Sequence, residues 1–348
     1  MGKILYSDLL SFCERLLELV GFDKDSIKSV SCGLCEASLR GVDSHGIRLL
    51  PHYIESALSG RKNPTPSFQF HKNFSSVGVL DADNGFGHSA GMKAIEYCME
   101  MADEFGMGVV AVKNSSHAGS MASMALKAAR QGYIAFSFTH ADSLLLSHNG
   151  MRPYFGTNPV CIAVPRKESE PYCLDMATSM ISWNKLMVCK EEGVELSENL
   201  AADGNGEMTS SAEEASCLLP AGSYKGYGLA SMVEVLCGIF TGMNFGRDIP
   251  GMYTTSMNEP RQLGQFYMVL RTDGCLEHKE FLSRMQEMTD QVRSEPSITG
   301  EKVMLPGDPE IEESKKRLEE GIPIESATLM ELEKLSGRYN VPLQLIKS

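Results

Sequence analysis

Two histidines stand in settings suited to proton transfer. His45 lies in Asp43-Ser44-His45-Gly46, which interrupts an apolar-periodic helical stretch, with Arg48 and Tyr53 close behind. His117 lies in Asn114-Ser115-Ser116-His117-Ala118-Gly119, where a buried strand gives way to a helix. An imidazole titrates near neutral pH, and the carboxyl end of a strand is where α/β sheets present ligands. Taken alone, each motif also fits a helix-capping or core histidine. Three further clusters could serve a ligand: Phe155-Gly156-Thr157-Asn158-Pro159 with Leu174-Asp175-Met176-Ala177-Thr178, then Ser223-Tyr224-Lys225-Gly226-Tyr227-Gly228, then Leu305-Pro306-Gly307-Asp308-Pro309. A lysine and bare amides at a helix start suit an anion such as phosphate. Singly, each of these reads equally as a structural turn.

Other chemistry is disfavoured. Gly85-Phe86-Gly87-His88-Ser89-Ala90 has the G-x-G-x-x-A form between a strand and a helix, but a dinucleotide site also needs an acid at the end of the next strand. That strand ends Val112-Lys113-Asn114, and Asp81 and Asp83 crowd the loop, so a helix-start turn is the better reading. There is no G-x-x-x-x-G-K-[ST]. Among the 10 cysteines only Cys32 and Cys35 form a C-x-x-C. No second pair or nearby histidine completes a tetrahedral site, so reduced thiols and no metal are expected.

The elements that must position these residues alternate. The first 60 or so residues read as helices, with Leu9, Phe12, Cys13, Leu16 and Leu17 at helical spacing and Ile27 to Leu39 repeating the pattern. A loop rich in Pro and polar residues follows, with a boundary near residue 75. Strands are expected at 77–80, 108–112, 133–138, 160–164, 172–175 and 266–270. Helices are expected at 88–105, 119–130, 228–240 and 277–292, with an irregular polar stretch near 191–216 and charged amphipathic helices from about 310. This is an α/β or α+β pattern with a mixed sheet, flanked by helical material from both chain ends.

Composition narrows the partners. The chain has 348 residues, with 45 acidic against 32 basic side chains and a formal charge of −13. Length suggests roughly two domains, and the acidic balance argues against nucleic acid and anionic membrane surfaces. No apolar stretch approaches the ~20 residues of a membrane span, and no secretory pattern opens the chain, so a cytoplasmic protein is expected.

In combination the motifs become specific. Ser44-His45-Gly46, Ser116-His117-Ala118-Gly119, Gly156-Thr157-Asn158-Pro159, Asp175-Met176-Ala177-Thr178, Lys225-Gly226-Tyr227-Gly228 and Leu305-Pro306-Gly307 occur in one order over nearly the whole chain. The series resembles the type 2 malate/L-lactate dehydrogenase family, whose relatives include ureidoglycolate and sulfolactate dehydrogenases and a cyclic-imine reductase. The resemblance implies a non-Rossmann NAD(P)-binding domain, a helical domain built from both chain ends, and a homodimer. Its expected units are 1–75 packed with 300–348, a central α/β part of 76–120 and 226–299, and a cofactor-binding part of 121–225.

By the same resemblance His117 matches the general acid/base, and His45 lines the same site. Asp142 matches an acid beside the site and is expected to orient a histidine. Thr157, Asn158, Asp175, Met176, Ala177, Lys225, Pro306, Gly307 and Asp308 fall at cofactor-binding positions. The implied cofactor is NAD, with NADP as the alternative, and the implied partner a small anionic substrate, malate or oxaloacetate first. Lactate, sulfolactate, ureidoglycolate or a cyclic imino acid are the other substrates. Two departures stand out. Many relatives read S-H-G-x-x-R, whereas here Leu49 holds that place and Arg48 precedes it, about 100° away on a helix. Arg48 is nevertheless the expected carboxylate anchor, with Arg152, His148 and His52 as candidates for a second cation. Asn184 follows Trp183 where the family commonly has glycine.

Overall fold

A computed structural model describes residues 2–167 and 169–346. Its centre is a seven-stranded mixed sheet: β1 (Gln69–Phe74), β2 (Val77–Asp81), β3 (Met107–Ser115), β4 (Tyr133–Thr139), β5 (Val160–Val164), β6 (Tyr172–Met176) and β7 (Leu263–Arg271). The spatial order is β1-β2-β3-β7-β4-β5-β6. Only β2 and β3 pair in parallel, across the crossover helix Gly87–Phe105; every other neighbouring pair is antiparallel.

The inner strands are apolar on both faces because helices cover both. Val110 and Val112 of β3 are fully buried with the helices Gly87–Phe105 and Ala122–Ala129. Val109 of β3, Val160 and Phe266 pack on the opposite face against Val233 and Cys237. β1 lay unseen in the sequence because it is an exposed edge with a polar run, Gln69 to Asn73. Phe70 nevertheless stacks on Tyr97 with ring centroids 3.9 Å apart, and such polar edges resist further pairing.

Both chain ends build one helical layer. Tyr6–Val20 and Lys24–Leu39 are separated by Gly21 at φ 93°, a left-handed helix stop, and the second helix starts on the Asp23 cap, whose carboxylate accepts from the Ser26 amide at 2.7 Å. Leu9, Leu16 and Leu34 share their core with Leu332 and Leu335 of the helix Ser326–Tyr339. The termini are also zipped, Gly2–Ile4 pairing antiparallel with Ile322–Ile324, a pair of short strands the sequence pattern did not reveal.

The stretch 191–216 is not shapeless. Ala201–Ala202, Met208–Thr209 and Cys217–Leu218 join Leu145–Leu146 and Pro153–Phe155 in a small five-stranded sheet. Its core gathers Leu145, Leu186, Leu196 and Leu218. The seven-stranded sheet takes strands both from the expected central part and from 121–225, so the two share a backbone scaffold. The apolar helix starts at Tyr224, four residues before the expected Gly228. It is regular to Glu234 and ends in a wider π turn, Val235–Ile239.

One buried side chain ties the loop before β7 to the helical layer. Arg61 is wholly buried and donates to the carbonyls of Met252 (2.7 Å), Glu259 (3.0 Å), Ser256 (3.0 Å) and Thr255 (3.2 Å). Arg61→Met would strand these acceptors without solvent. It is expected to cost about 3 kcal/mol of stability and to loosen residues 252–254. Chemical denaturation of the variant checks this, and an unchanged midpoint would refute it.

Candidate active site

His117 is delivered by the end of β3. The chain leaves the strand through Asn114 in the left-handed region (φ 52°) and turns again at Gly119 (φ 67°). A Cβ on Gly119 would lie 2.3 Å from the buried His88 ring, so only glycine lets the loop close here. Nδ1 of His117 is engaged by the Tyr53 hydroxyl at 2.7 Å, and Tyr53 is fully buried on the helix Leu50–Leu58.

His45 arrives from the helical layer, on the short turn Asp43–His45. That turn is clamped by Arg317 of the C-terminal helix Asp308–Glu320. Its guanidinium grips both Asp43 oxygens (2.6 and 3.0 Å) and the Ser38 carbonyl (2.6 Å). Gly46 fits against Ser38, whose Oγ would lie 2.1 Å from any Cβ placed there. Ser44 Oγ holds His45 Nδ1 at 2.9 Å, and the amide of Asn184 reaches the Ser44 carbonyl at 2.7 Å. Asn184 therefore fastens the helix Trp183–Glu192 to the histidine turn.

The two rings face each other, 5.7 Å between centroids and 17° from parallel. They line a cavity of about 570 Å³ where helical layer, large sheet and small sheet meet, with Asp175, Trp183, Tyr253 and Arg261 on its other walls. With both Nδ1 atoms taken, each Nε2 is left without a protein partner among the described residues. Burial, then the Arg48 charge, holds His45 down to about 4. His117 is held well below its ordinary value of 6.5 by burial and then by His45, Lys62, Arg261 and His88. Both imidazoles are therefore neutral at pH 7 and able to accept a proton.

The other expected residues divide. Thr157, Asp175, Met176 and Ala177 line the cavity. Asp175 is open to the cavity. It accepts from Ser120 Oγ and the Ala122 amide, both at 2.8 Å, and burial still holds its carboxyl above the usual range. Asn158 does not line the cavity. Its amide is consumed inside the protein, donating to Ala230 O (2.9 Å) and Glu234 (2.7 Å) and accepting from Ala141 N (3.2 Å). Asp308 is likewise spent, on Arg166 (3.0 Å) and Arg293 (2.8 Å). Pro306 and Gly307 form the turn against β6, the Pro306 carbonyl accepting from Cys173 N at 3.2 Å. Lys225 is exposed on the first helical turn, four residues beyond Ala221 on the cavity wall.

Two expectations change. Asp142 orients no histidine: its carboxylate binds the Arg261 guanidinium and accepts from Met252 N at 3.3 Å, while Tyr53 and Ser44 hold the imidazoles. Leu49, not Arg48, faces the cavity, and the guanidinium on its wall is Arg261. Arg261 is 2% exposed, with Nε spent on Pro250 O at 2.9 Å. The sequence hid it, a lone arginine between Pro260 and Gln262 in no motif; the acid at Asp142 was its only signal. Arg152, His148 and His52 do not line the cavity, and the G-x-G-x-x-A turn is closed by the protein itself, Gly87 N donating to Ser116 Oγ at 3.1 Å. Among the described residues no cluster of three or more His, Cys, Asp or Glu could hold a metal, and no helix is long and apolar enough to cross a membrane.

Comparisons with known proteins identify the relatives of this chain. The profile of a family described as malate/L-lactate dehydrogenase matches residues 4–333. The chain is 34% identical to the malate dehydrogenase of Pyrococcus abyssi over 97% of its own length and 95% of that protein's. It is 29% identical to the NAD(+) ureidoglycolate dehydrogenase of Escherichia coli K12, covering 92% of each. The crystal structure of malate dehydrogenase from Entamoeba histolytica superposes with a TM-score of 0.92 at 29% identity, over 98% of this chain and 99% of that one.

Burial of neutral histidines makes stability depend on pH. His88, fully buried, is held down to about 3, mainly by burial, and His45 to about 4, against an ordinary value of 6.5. The unfolded chain thus binds protons that the folded one refuses as pH falls below that value. The contribution is complete above pH 6.5 and declines towards pH 4. Thermal midpoints are expected to fall already between about pH 6.5 and 5, before most carboxylates titrate. A flat profile across that interval would contradict the assignment.

Proposed function

The chain belongs to the malate/L-lactate dehydrogenase family, and we propose that it interconverts a 2-oxo acid and a 2-hydroxy acid, malate and oxaloacetate first, with NAD as cofactor. The observation that carries this reading is the facing His45–His117 pair with Arg261 on the same cavity. The cavity suits a nicotinamide nucleotide: its volume lies within the range of cofactor pockets, and apolar Trp183, Met176 and Ala177 adjoin the polar Thr157 and Asp175. Those residues would hold it, with Lys225 reaching a phosphate from the helix start beside Ala221. When bound, the nicotinamide supplies or accepts the hydride. Arg40 shares its wall with Asp175 and Glu310, and two carboxylates disfavour an added 2′-phosphate, which supports NAD over NADP.

The protein's part is to place the substrate and move one proton. Arg261 is pre-oriented by Asp142 and Pro250, so its remaining donors can take a substrate carboxylate at little entropic cost. Arg48 lies close enough to depress His45 but does not line the cavity. Neutral His117 takes the hydroxyl proton during oxidation through Nε2, while Tyr53 fixes the ring through Nδ1. In reduction the negative charge growing on the carbonyl oxygen draws a proton back from that nitrogen.

A homodimer is proposed on the exposed apolar row of the helix at 224–240. Leu229, Met232, Val235, Ile239 and Phe240 are 41%, 55%, 43%, 54% and 56% exposed, and patches of this kind are normally covered by a partner. The cytoplasmic placement is consistent with ten cysteines that form no disulfide.

His117→Ala should leave NAD affinity roughly unchanged and lower turnover by about two to four orders of magnitude; near-normal turnover would move the role to His45. Arg261→Gln should raise KM for the oxo acid by about a hundredfold, whereas an unchanged KM would return the carboxylate to Arg48. Both are read by following NADH and NADPH oxidation separately against oxaloacetate, pyruvate, 2-oxoglutarate, sulfopyruvate and a cyclic imine. Preference for the imine would replace the 2-oxo acid reading. Lys225→Ala should weaken NAD binding, and an unchanged dissociation constant would remove its phosphate role.

A further inference from the structure

Behind the Tyr53–His117 pair lies a lysine that the mechanism does not use. Lys62 is 1% exposed, and its Nζ has no hydrogen-bond partner among the described residues. Instead it rests on two aromatic faces, 4.0 Å from the centroid of Tyr53 and 4.9 Å from that of Phe86. A buried lysine ordinarily pairs with a carboxylate; this one is held by ring quadrupoles, which attract an ammonium and give nothing to a neutral amine beyond packing. The ring it rests on is that of Tyr53, whose hydroxyl meets His117 Nδ1 at 2.7 Å. Cation, phenol and imidazole thus run in sequence from the core to the cavity, and Lys62 itself does not line that cavity.

We propose that Lys62 is a positioning residue whose ammonium, seated on the Tyr53 ring behind His117, disfavours a proton on that imidazole and so helps to set the lower pH limit for hydroxy-acid oxidation. This rests on His117 being the base. The groups that face His117 come from four elements: Tyr53 and His45 from the helical layer, His88 from the helix after β2, and Arg261 from the loop before β7. None is a carboxylate, and Asp142 is already bound to Arg261. Around Lys62 stand His52, Arg61 and Arg261, so no acid neutralises it either. Its ammonium is destabilised by burial and by the two arginines, in opposition to the ring contacts. As an ammonium, Lys62 would add an uncompensated charge to the field that, with burial and His45, disfavours the imidazolium of His117.

The test is the pH dependence of kcat/KM for malate oxidation in the wild type, Lys62→Met and Lys62→Arg. Loss of the cation should move the acid limb of Lys62→Met upward by about one pH unit, with NAD affinity unchanged, while Lys62→Arg retains the wild-type limb. Should Lys62→Met not fold, Lys62→Gln serves as the neutral variant. An unmoved limb in the neutral variant overturns the proposal, as does an equal shift in Lys62→Arg, since that would mark a packing effect. If His117→Ala retains turnover, the acid/base reading fails first; if it is inactive while the limb stays in place, only the role of Lys62 fails.

Discussion

The contact on which the site depends is the hydrogen bond between Tyr53 and His117. It joins a helix of the terminal layer to the end of a central strand, with its Tyr53 end fully buried. In that setting a polar group without a partner is expensive, so the bond fixes both the ring orientation and the nitrogen that is left to the cavity. His45 is fixed in the same manner by Ser44, and the two rings come together only because the layers that carry them are themselves locked. Arg317 holds the histidine turn from the C-terminal side, and Arg61 holds the loop that carries Met252 and Tyr253.

Charge is arranged with similar economy. The protein is acidic overall, yet His117 is surrounded by Lys62, Arg261 and three other histidines in its neighbourhood or behind it. Burial and these neighbouring cations together disfavour the imidazolium of His117. Asp142 illustrates the cost of assigning roles by proximity to a motif. Had it bonded His117 it would have stabilised the imidazolium; bonded to Arg261 it aims a guanidinium instead.

Much of this was legible in the chain. The strands at 160–164 and 172–176 and the helix at 87–105 follow from apolar periodicity, because each buries a regular face. The edge strand 69–74 and the terminal strand pair were not, since an exposed edge needs no apolar alternation and Gly2–Ile4 becomes a strand only through its partner more than 300 residues away. Likewise Asn158 and Asp308 sit in conspicuous motifs, but their side chains brace the scaffold. A motif records which residue types are required; it does not distinguish a group that touches a ligand from one that holds the loop.

The sequence by itself determined the inventory: two histidines in turn-prone, small-residue settings, a mixed α/β scaffold, an acidic net charge, and a family resemblance carried by ordered motifs. The tertiary structure decided which groups converge. Arg261, Lys62 and Arg317 belong to no local pattern, and their roles, like that of Tyr53, arise from contacts between residues far apart in the chain. Local periodicity is set by which face a segment must bury, whereas electrostatic and hydrogen-bonding roles are set by desolvated neighbours that only the packed fold supplies.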